Sequence, residues 1–337
     1  MVVVGGAASI HRNIHHLPPH YRQQWDETGK RSGAGDMVSQ SIKDEIARLK
    51  SAEDAVIIAH NYQVPEVQEV ADLVGDSLEL ARAAAVLEEE TIVFCGVDFM
   101  AETAAVLAPE KRVLLPAVDA LCPMAGMVTA AEVRALKERY PTAAVVCYVN
   151  TPAEVKAESD ICCTSANAVA VVESLDAEQV IFVPDRNLGR YVARFTAREV
   201  IPWEGFCYVH DLMSVRDVEE ARRTHPDAEV LVHPECRPEV IDAADHVFST
   251  SGMIRHVCSS SGEEFVIGTE TGILYPMQKK CPGKRCYPLS EQAVCASMKK
   301  TDLPLVRDAL ERLEPRVTVP PETAERARVA IERMLEV

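Results

Sequence analysis

Three stretches of this sequence, AVIIAHNY at 55–62, AAVVCYVN at 143–150 and AEVLVHPE at 228–235, can be laid beneath one another. Each is a short apolar run ending in a polar residue, His60, Tyr148 or His233, and these ends are spaced 88 and 85 residues apart. Short apolar runs bounded by polar turns read as buried strands. Seventeen residues after each end stands a hydroxyl, Ser77, Ser165 or Thr250, which opens a helical pattern (SLELARAAAVL, SANAVAVVESL, TSGMIRHVCSS). A further strand then ends in an acid, Asp98, Asp185 or Glu270, at offsets of 38, 37 and 37. A cysteine follows, Cys122, Cys207 or Cys295, at offsets of 62, 59 and 62. Each cysteine precedes another helix, closed by Pro141, Pro226 or Pro315, which stand 19, 19 and 20 residues farther on. One such column alone could be coincidence, because cysteine occurs about once in 31 residues. Six columns in register establish a triplication of one α/β unit of about 87 residues.

Around these strands the text alternates with helical patterns such as SIKDEIARLK, TAAEVRALKERY and SVRDVEEARR. That alternation is the mark of α/β layers with parallel strands. The sequence therefore predicts three similar α/β domains, each with a short parallel sheet, arranged around a pseudo-threefold axis. The repeat places them at 38–122 plus 296–337, 123–207 and 208–295. The helix at 302–313 has no fourth unit to enter, so it and the C-terminal helix are expected to return to the first domain. Residues 1–37 contain His11, His15, His16 and His20 among Gly, Arg and Pro and show no periodicity. A His-rich tract can bind metal, but without a pattern this stretch reads as a loose N-terminal leader.

The chain has 337 residues, 47% of them hydrophobic, and 52 acidic against 35 basic side chains, for a formal net charge of −17. Such a chain can bury a substantial core, which excludes disorder for most of it. The acidic balance argues against a nucleic-acid or anionic-membrane surface. No apolar run approaches the ~18 residues of a membrane span, and MVVVGGAASI lacks the basic start of a secretory signal. The expectation is a soluble, cytoplasmic protein. In a reducing compartment its 11 cysteines serve as small core residues, reactive thiols or metal ligands. Cys95, Cys147 and Cys163 lie in apolar runs and are expected in core strands.

Ligands of parallel α/β units gather at the carboxyl ends of the strands, which is where His60, Tyr148 and His233 fall. Ser77, Ser165 and Thr250 are expected at helix N-caps, where free N–H groups favour anions. Around a threefold axis these positions converge, and so do the three cysteines. Three thiolates about one point suit a metal with an open coordination position. Soft sulfur ligands leave zinc and an iron–sulfur cluster as the choices. There is no C-x-x-C pair, and Cys281, Cys286 and Cys295 form a weaker alternative cluster set. Whether Cys281 and Cys286 form a regulatory thiol pair is not legible.

The strings HNYQVPEVQEVADLVGDSLELA, CGVDFMAETA, CYVNT, TSANAV, HPEC and STSGM, in this order, closely resemble the quinolinate synthase A family of de novo NAD biosynthesis, over about residues 40–337. The resemblance implies three α/β domains and a 4Fe–4S cluster held by Cys122, Cys207 and Cys295, one per chain. It implies substrate contacts at His60, Ser77, Tyr148, Val149, Asn150, Ser165, His233, Pro234, Glu235 and Thr250. Catalytic residues would be His60, Tyr62, Tyr148, His233 and Glu235, with Tyr62 a proton shuttle. The implied reaction is an alkyl-type transfer that condenses iminosuccinate with dihydroxyacetone phosphate, with an open iron as Lewis acid. A functional link to L-aspartate oxidase comes with it. The sequence departs from members that carry C-x-x-C-x-x-C at the third ligand, and Cys236 of HPEC is not expected to be a ligand. Two other readings of the same residues are an anion-binding iron–sulfur or thiol redox sensor and a zinc-dependent aldolase.

Overall fold

The computed structural model describes residues 33–337, and side chains from residue 39 onward. The His-rich tract lies outside the described residues. The first helix begins at Gly33 and so includes residues 33–37 of the stretch read as a leader.

Among the described residues twelve strands form three sheets of four, and every pairing between these strands is parallel. The first sheet holds β1 (Ala55–His60), β2 (Leu73–Gly75), β3 (Thr91–Cys95) and β4 (Arg112–Leu114). The second holds β5 (Ala144–Tyr148), β6 (Ile161–Cys163), β7 (Gln179–Val183) and β8 (Glu199–Pro202). The third holds β9 (Glu229–Val232), β10 (His246–Val247), β11 (Glu264–Gly268) and β12 (Arg285–Pro288). The orders β2-β1-β3-β4, β6-β5-β7-β8 and β10-β9-β11-β12 are one topology used three times. The structure is thus the three-domain α/β arrangement predicted from the repeat. Helices cover both faces of each sheet, so the central strands are continuous apolar runs, and β1 and β3 are buried at every residue. Cys95, Cys147 and Cys163 lie in β3, β5 and β6 with no solvent exposure.

A further repeated position emerges from the backbone. Asp72, Asp160 and Asp245, each twelve residues past the polar strand end, accept a hydrogen bond from Ile57 N, Val145 N and Val230 N at 2.9, 2.7 and 2.8 Å. The second strand of each sheet is too short to pair with these N–H groups near the start of the central strand. A carboxylate beside the strand satisfies donors that would otherwise be orphaned. Helix starts repeat as well. Thr129 and Ser214 form capping boxes with Glu132 and Asp217, and Asp302 accepts from Leu305 N, each seven residues past its cysteine.

The helix Leu303–Arg312 packs on helix Gly33–Ala52 and on β3 of the first unit. It buries Leu303, Val306, Ala309 and Leu310 beside Ile46 and Leu49. The last helix, Pro321–Glu336, departs from the expected return to the first unit alone. It lies against β6 and helix Ala153–Lys156 of the second unit as well as helix Asp98–Leu107 of the first. Its apolar stripe Ala327, Ala330, Ile331 and Met334 is fully buried there, and Arg326 reaches Glu158 at 3.0 Å. No helix among the described residues is long and apolar enough to cross a membrane.

Candidate active site at the meeting of the three units

The carboxyl ends of β1, β5 and β9 face one another across a cavity of about 690 Å³, part of it open to solvent. His60, Tyr148 and His233 line it together, as do Ser77, Ser165 and Thr250, and Cys122, Cys207 and Cys295. Three columns of the repeat, separated by up to about 170 residues, therefore meet at one place. Tyr62, Asn150 and Glu235 complete the set. Two predicted contacts fall outside. Val149 is buried behind the cavity, beside a small void it shares with Ser77, and Pro234 lines a neighbouring groove that shares Ser165.

The hydroxyls are not the helix caps that their position in the pattern predicts. Asp76 caps helix Ser77–Ala84, accepting from Leu78 N and Glu79 N, and Ser249 caps helix Thr250–Ser259. In the second unit Asn167 closes a turn onto Thr164, and the helix starts only at Ala168. In the first and third units the residue before the hydroxyl takes over the start of the helix. Ser77 and Thr250 therefore begin their helices facing the cavity, and Ser165 is left to meet His233.

The three acids found in register also have a definite place. Asp98 accepts a hydrogen bond from Cys122 N at 3.0 Å, Asp185 from Cys207 N at 3.0 Å and Glu270 from Cys295 N at 3.1 Å. Each strand-end carboxylate thus anchors the backbone of the cysteine in its own unit. Glu270 additionally accepts from Gly272 N and pairs with Lys299 at 2.9 Å. The Lys299 ammonium in turn donates to the carbonyl of Tyr62 in the first unit.

Glu235 is 3% exposed and sits between two imidazoles. Its Oε2 lies 3.1 Å from His233 Nδ1 and 3.0 Å from His210 Nδ1, the latter not aligned as a hydrogen bond. Burial by itself pushes the Glu235 carboxyl up, but the neighbouring His210 and His233 outweigh it and hold the group well below the usual carboxylate range. His210 and His233 stack with centroids 4.4 Å apart. From them run two chains. His233 Nε2 meets Ser165 Oγ at 3.1 Å. His210 Nε2 meets Thr269 Oγ1 at 2.8 Å, and Thr269 meets the Tyr62 hydroxyl at 2.5 Å.

The repeat places His60 and His233 in equivalent slots but gives them opposite roles. Nδ1 of His60 accepts the backbone N–H of Tyr62 at 3.1 Å, so its proton sits on Nε2. Burial, then the Lys299 charge, lowers the His60 pKa to about 3 and keeps the ring neutral. In the third unit the analogous N–H, of Glu235, stands at 3.4 Å, while the Glu235 carboxylate is closer. A proton on Nδ1 would face that carboxylate and leave Nε2 as a base toward Ser165. Burial raises the Tyr62 and Tyr148 hydroxyls well above their ordinary value, and both stay protonated at neutral pH.

Burial also raises all three cavity thiols, Cys122 to about 12, and Cys122 and Cys207 are raised further by the charge of their fellow cysteines. Three thiols gathered on one cavity are a donor set for a strongly cationic centre. They are not among the sets of described residues whose ligand atoms all lie within 4.8 Å of one another. A single tetrahedral ion with ~2.3 Å bonds to sulfur draws its ligands to about 3.8 Å apart, so the set suits a larger group. Cys281 leaves the list of alternatives because it forms a disulfide with Cys258. Cys286 is free on β12, so the two are not paired with each other. Asn150 Oδ1, His210 Nδ1 and Glu235 Oε1 are buried without hydrogen-bond partners, as expected of groups that await a polar ligand.

Sequence reasoning missed His210, Thr269 and Lys299. None recurs in the other units. Three residues past their cysteines, the equivalents of His210 are Ala125 and Met298.

A family model described as quinolinate synthetase A protein matches residues 44–336. The chain is 67% identical over 294 residues to the quinolinate synthase of Methanoregula boonei, a match that covers 87% of this chain and 97% of that one. It is 56% identical over 299 residues to the quinolinate synthase of Desulforudis audaxviator, covering 88% and 99%. With that of Dehalococcoides mccartyi it shares 54% over 301 residues, covering 89% and 100%. At such identity over nearly all of its described length, the chain belongs to the quinolinate synthetase A family.

Proposed function

We propose that this protein is a quinolinate synthase of NAD biosynthesis that joins iminosuccinate to dihydroxyacetone phosphate in the cavity between its three units. The products are quinolinate, inorganic phosphate and two waters. Carbon, nitrogen and oxygen balance without any external oxidant or reductant. The chemistry needed is proton transfer and loss of oxygen leaving groups, which is what the side chains offer. The observation that carries the reading is the chain Ser165–His233–Glu235, a hydroxyl, an imidazole and a carboxylate within hydrogen-bond reach, at the cavity the three cysteines share.

His233 Nε2 takes a proton, and Glu235 at Nδ1 holds the tautomer and stabilises the imidazolium that forms. His60 presents its Nε2–H as a neutral donor to a carbonyl or carboxylate. Tyr62, still protonated, returns a proton through Thr269 and His210. Tyr148 and Asn150 are placed to orient the substrates. The hydroxyls and first-turn N–H groups at Ser77 and Thr250 suit phosphate or carboxylate oxygens. This lets a chain of net charge −17 bind anions without a basic patch.

Cys122, Cys207 and Cys295 are the residues that would hold a 4Fe–4S cluster. When bound, it supplies a Lewis-acidic iron with an open position for a departing hydroxyl or a carboxylate. The domain division 38–122 with 296–337, 123–207 and 208–295 belongs to this proposal, with the last helix shared between the first two units. So do a cytoplasmic location and supply of iminosuccinate by an L-aspartate oxidase. A redox sensor would need no such acid–base set, and a zinc aldolase would not need three thiols this widely set.

Protein purified anaerobically is expected to be brown and to convert the two substrates to quinolinate and phosphate in equal amounts. Colourless protein that binds zinc and cleaves or joins aldol substrates would overturn the assignment, as would a coloured protein with no turnover.

A further inference from the structure

A second convergence of ligand-type side chains lies away from the cavity, at the opposite end of the third sheet. Glu229 opens β9, His246 opens β10 and His256 lies in helix Thr250–Ser259. His256 Nε2 stands 2.7 Å and His246 Nε2 3.2 Å from the same atom, Oε2 of Glu229. The three ligand atoms all lie within 4.8 Å of one another. The other carboxylate oxygen, Oε1, accepts a hydrogen bond from Ser260 Oγ at 2.8 Å. From these positions we propose that Glu229, His246 and His256 bind one divalent ion of the zinc class, separate from the catalytic cavity.

The spacing is close to what such an ion requires. Bonds of ~2.0–2.2 Å to nitrogen and oxygen in tetrahedral geometry set neighbouring ligand atoms about 3.3–3.5 Å apart. The 3.2 Å contact of His246 is near that value, and the 2.7 Å contact of His256 would open by about 0.6–0.8 Å. The two rings are already oriented, since His246 and His256 have centroids 4.5 Å apart and Phe248 packs against both at 5.7 and 5.0 Å. Ser260 fixes Oε1 and turns Oε2 toward the imidazoles, the usual task of a group behind a metal-binding carboxylate. Two nitrogens and one oxygen select zinc, cobalt or nickel over calcium and magnesium, which seek six or more oxygens. The side chains of His246, Glu229 and His256 are 39%, 29% and 22% exposed, so an ion can enter and water can fill the fourth position. The nearby ammonium of Lys284 is held by the carbonyls of Ser260 and Gly262. An ion here would tie β9, β10 and helix Thr250–Ser259 together at the end remote from the cavity.

Co²⁺ titration of full-length, cluster-loaded protein under anaerobic conditions tests this. The wild type is expected to bind one more equivalent than His246→Ala or His256→Ala, with a visible ligand-field band that those variants lack and that Zn²⁺ abolishes. Histidines of residues 1–32 and the cavity thiols contribute equally to all three proteins and cancel. Glu229→Gln, which keeps the shape and hydrogen bonding if a histidine variant fails to fold, should lose the same equivalent. Ser260→Ala should weaken it on the order of tenfold. Equal stoichiometry and the same spectrum in wild type and variants would overturn the site and leave a hydrogen-bonded His–Glu–His cluster.

Discussion

Glu270→Gln removes a charge from the point where the first and third units are joined. The Glu270 side chain has no solvent exposure. Its Oε1 accepts from Cys295 N at 3.1 Å and its Oε2 from Gly272 N at 2.7 Å. Lys299 Nζ lies 2.9 and 3.0 Å from the two oxygens. Glutamine keeps one acceptor and places an NH₂ group where the other was, so a donor faces donors on that side. One backbone N–H is orphaned, which costs about 1–3 kcal/mol. Breaking a buried ion pair costs ~3–5 kcal/mol when both charges are enclosed, and less here because the Lys299 side chain is 22% exposed. The expected loss is therefore about 3–5 kcal/mol, a large part of the ~5–15 kcal/mol that holds a typical domain together. Urea unfolding of the cluster-free, reduced protein measures it. Lys299→Met should be destabilising on its own, and the double variant should cost at least ~1.5 kcal/mol less than the sum of the two. Iron retention by reconstituted Glu270→Gln should fall as well, because Cys295 loses its anchor. A cost below ~1 kcal/mol with additive single changes would refute the argument that this pair fixes the third cysteine.

Alanine at Cys122, Cys207 or Cys295 should abolish the iron–sulfur absorption, whereas Cys281→Ala and Cys286→Ala should preserve it; loss of absorption on changing Cys281 would overturn the choice of Cys295. Glu235→Gln should lower kcat on the order of a hundredfold with KM nearly unchanged, since shape survives and the partner of His233 does not. Normal turnover with an intact cluster would move the proton chemistry to His60 or Tyr62. Glu158 joins the last helix, through Arg326 at 3.0 Å, to helix Ala130–Arg139, through Arg134 at 2.8 Å. Burial raises its pKa, but the two guanidiniums prevail and leave it below the usual 4.5. Its stabilising effect is thus complete above pH ~4.5 and lost as pH falls below that value. Glu158→Gln should cost about 1 kcal/mol at pH 7 and flatten the acid side of the stability profile in thermal melts.

Much of this molecule is written in the order of its residues. Strand and helix patterns are local, and the same unit recurs three times, so any position that serves the shared frame recurs too. That is why His60, Tyr148 and His233, the three hydroxyls and the three cysteines could be aligned before any coordinate was known. The aspartates at 72, 160 and 245 were equally legible, twelve residues past each strand end, but carry no chemistry that draws attention. Tertiary structure alone decided what breaks the symmetry. His210, Thr269 and Lys299 have no counterparts in the other units, and their partners lie far off in the chain: Tyr62 meets Thr269 across 207 residues and Lys299 across 237. The two equivalent histidines differ in their surroundings because Glu235 stands in the third unit where Tyr62 stands in the first, placing a carboxylate 3.1 Å from His233 Nδ1. The last helix shows the same division, since its apolar stripe is legible in the sequence while the surface that receives it is not. Local pattern records what each residue needs to bury or bond, and packing among the three units decides which distant group supplies it.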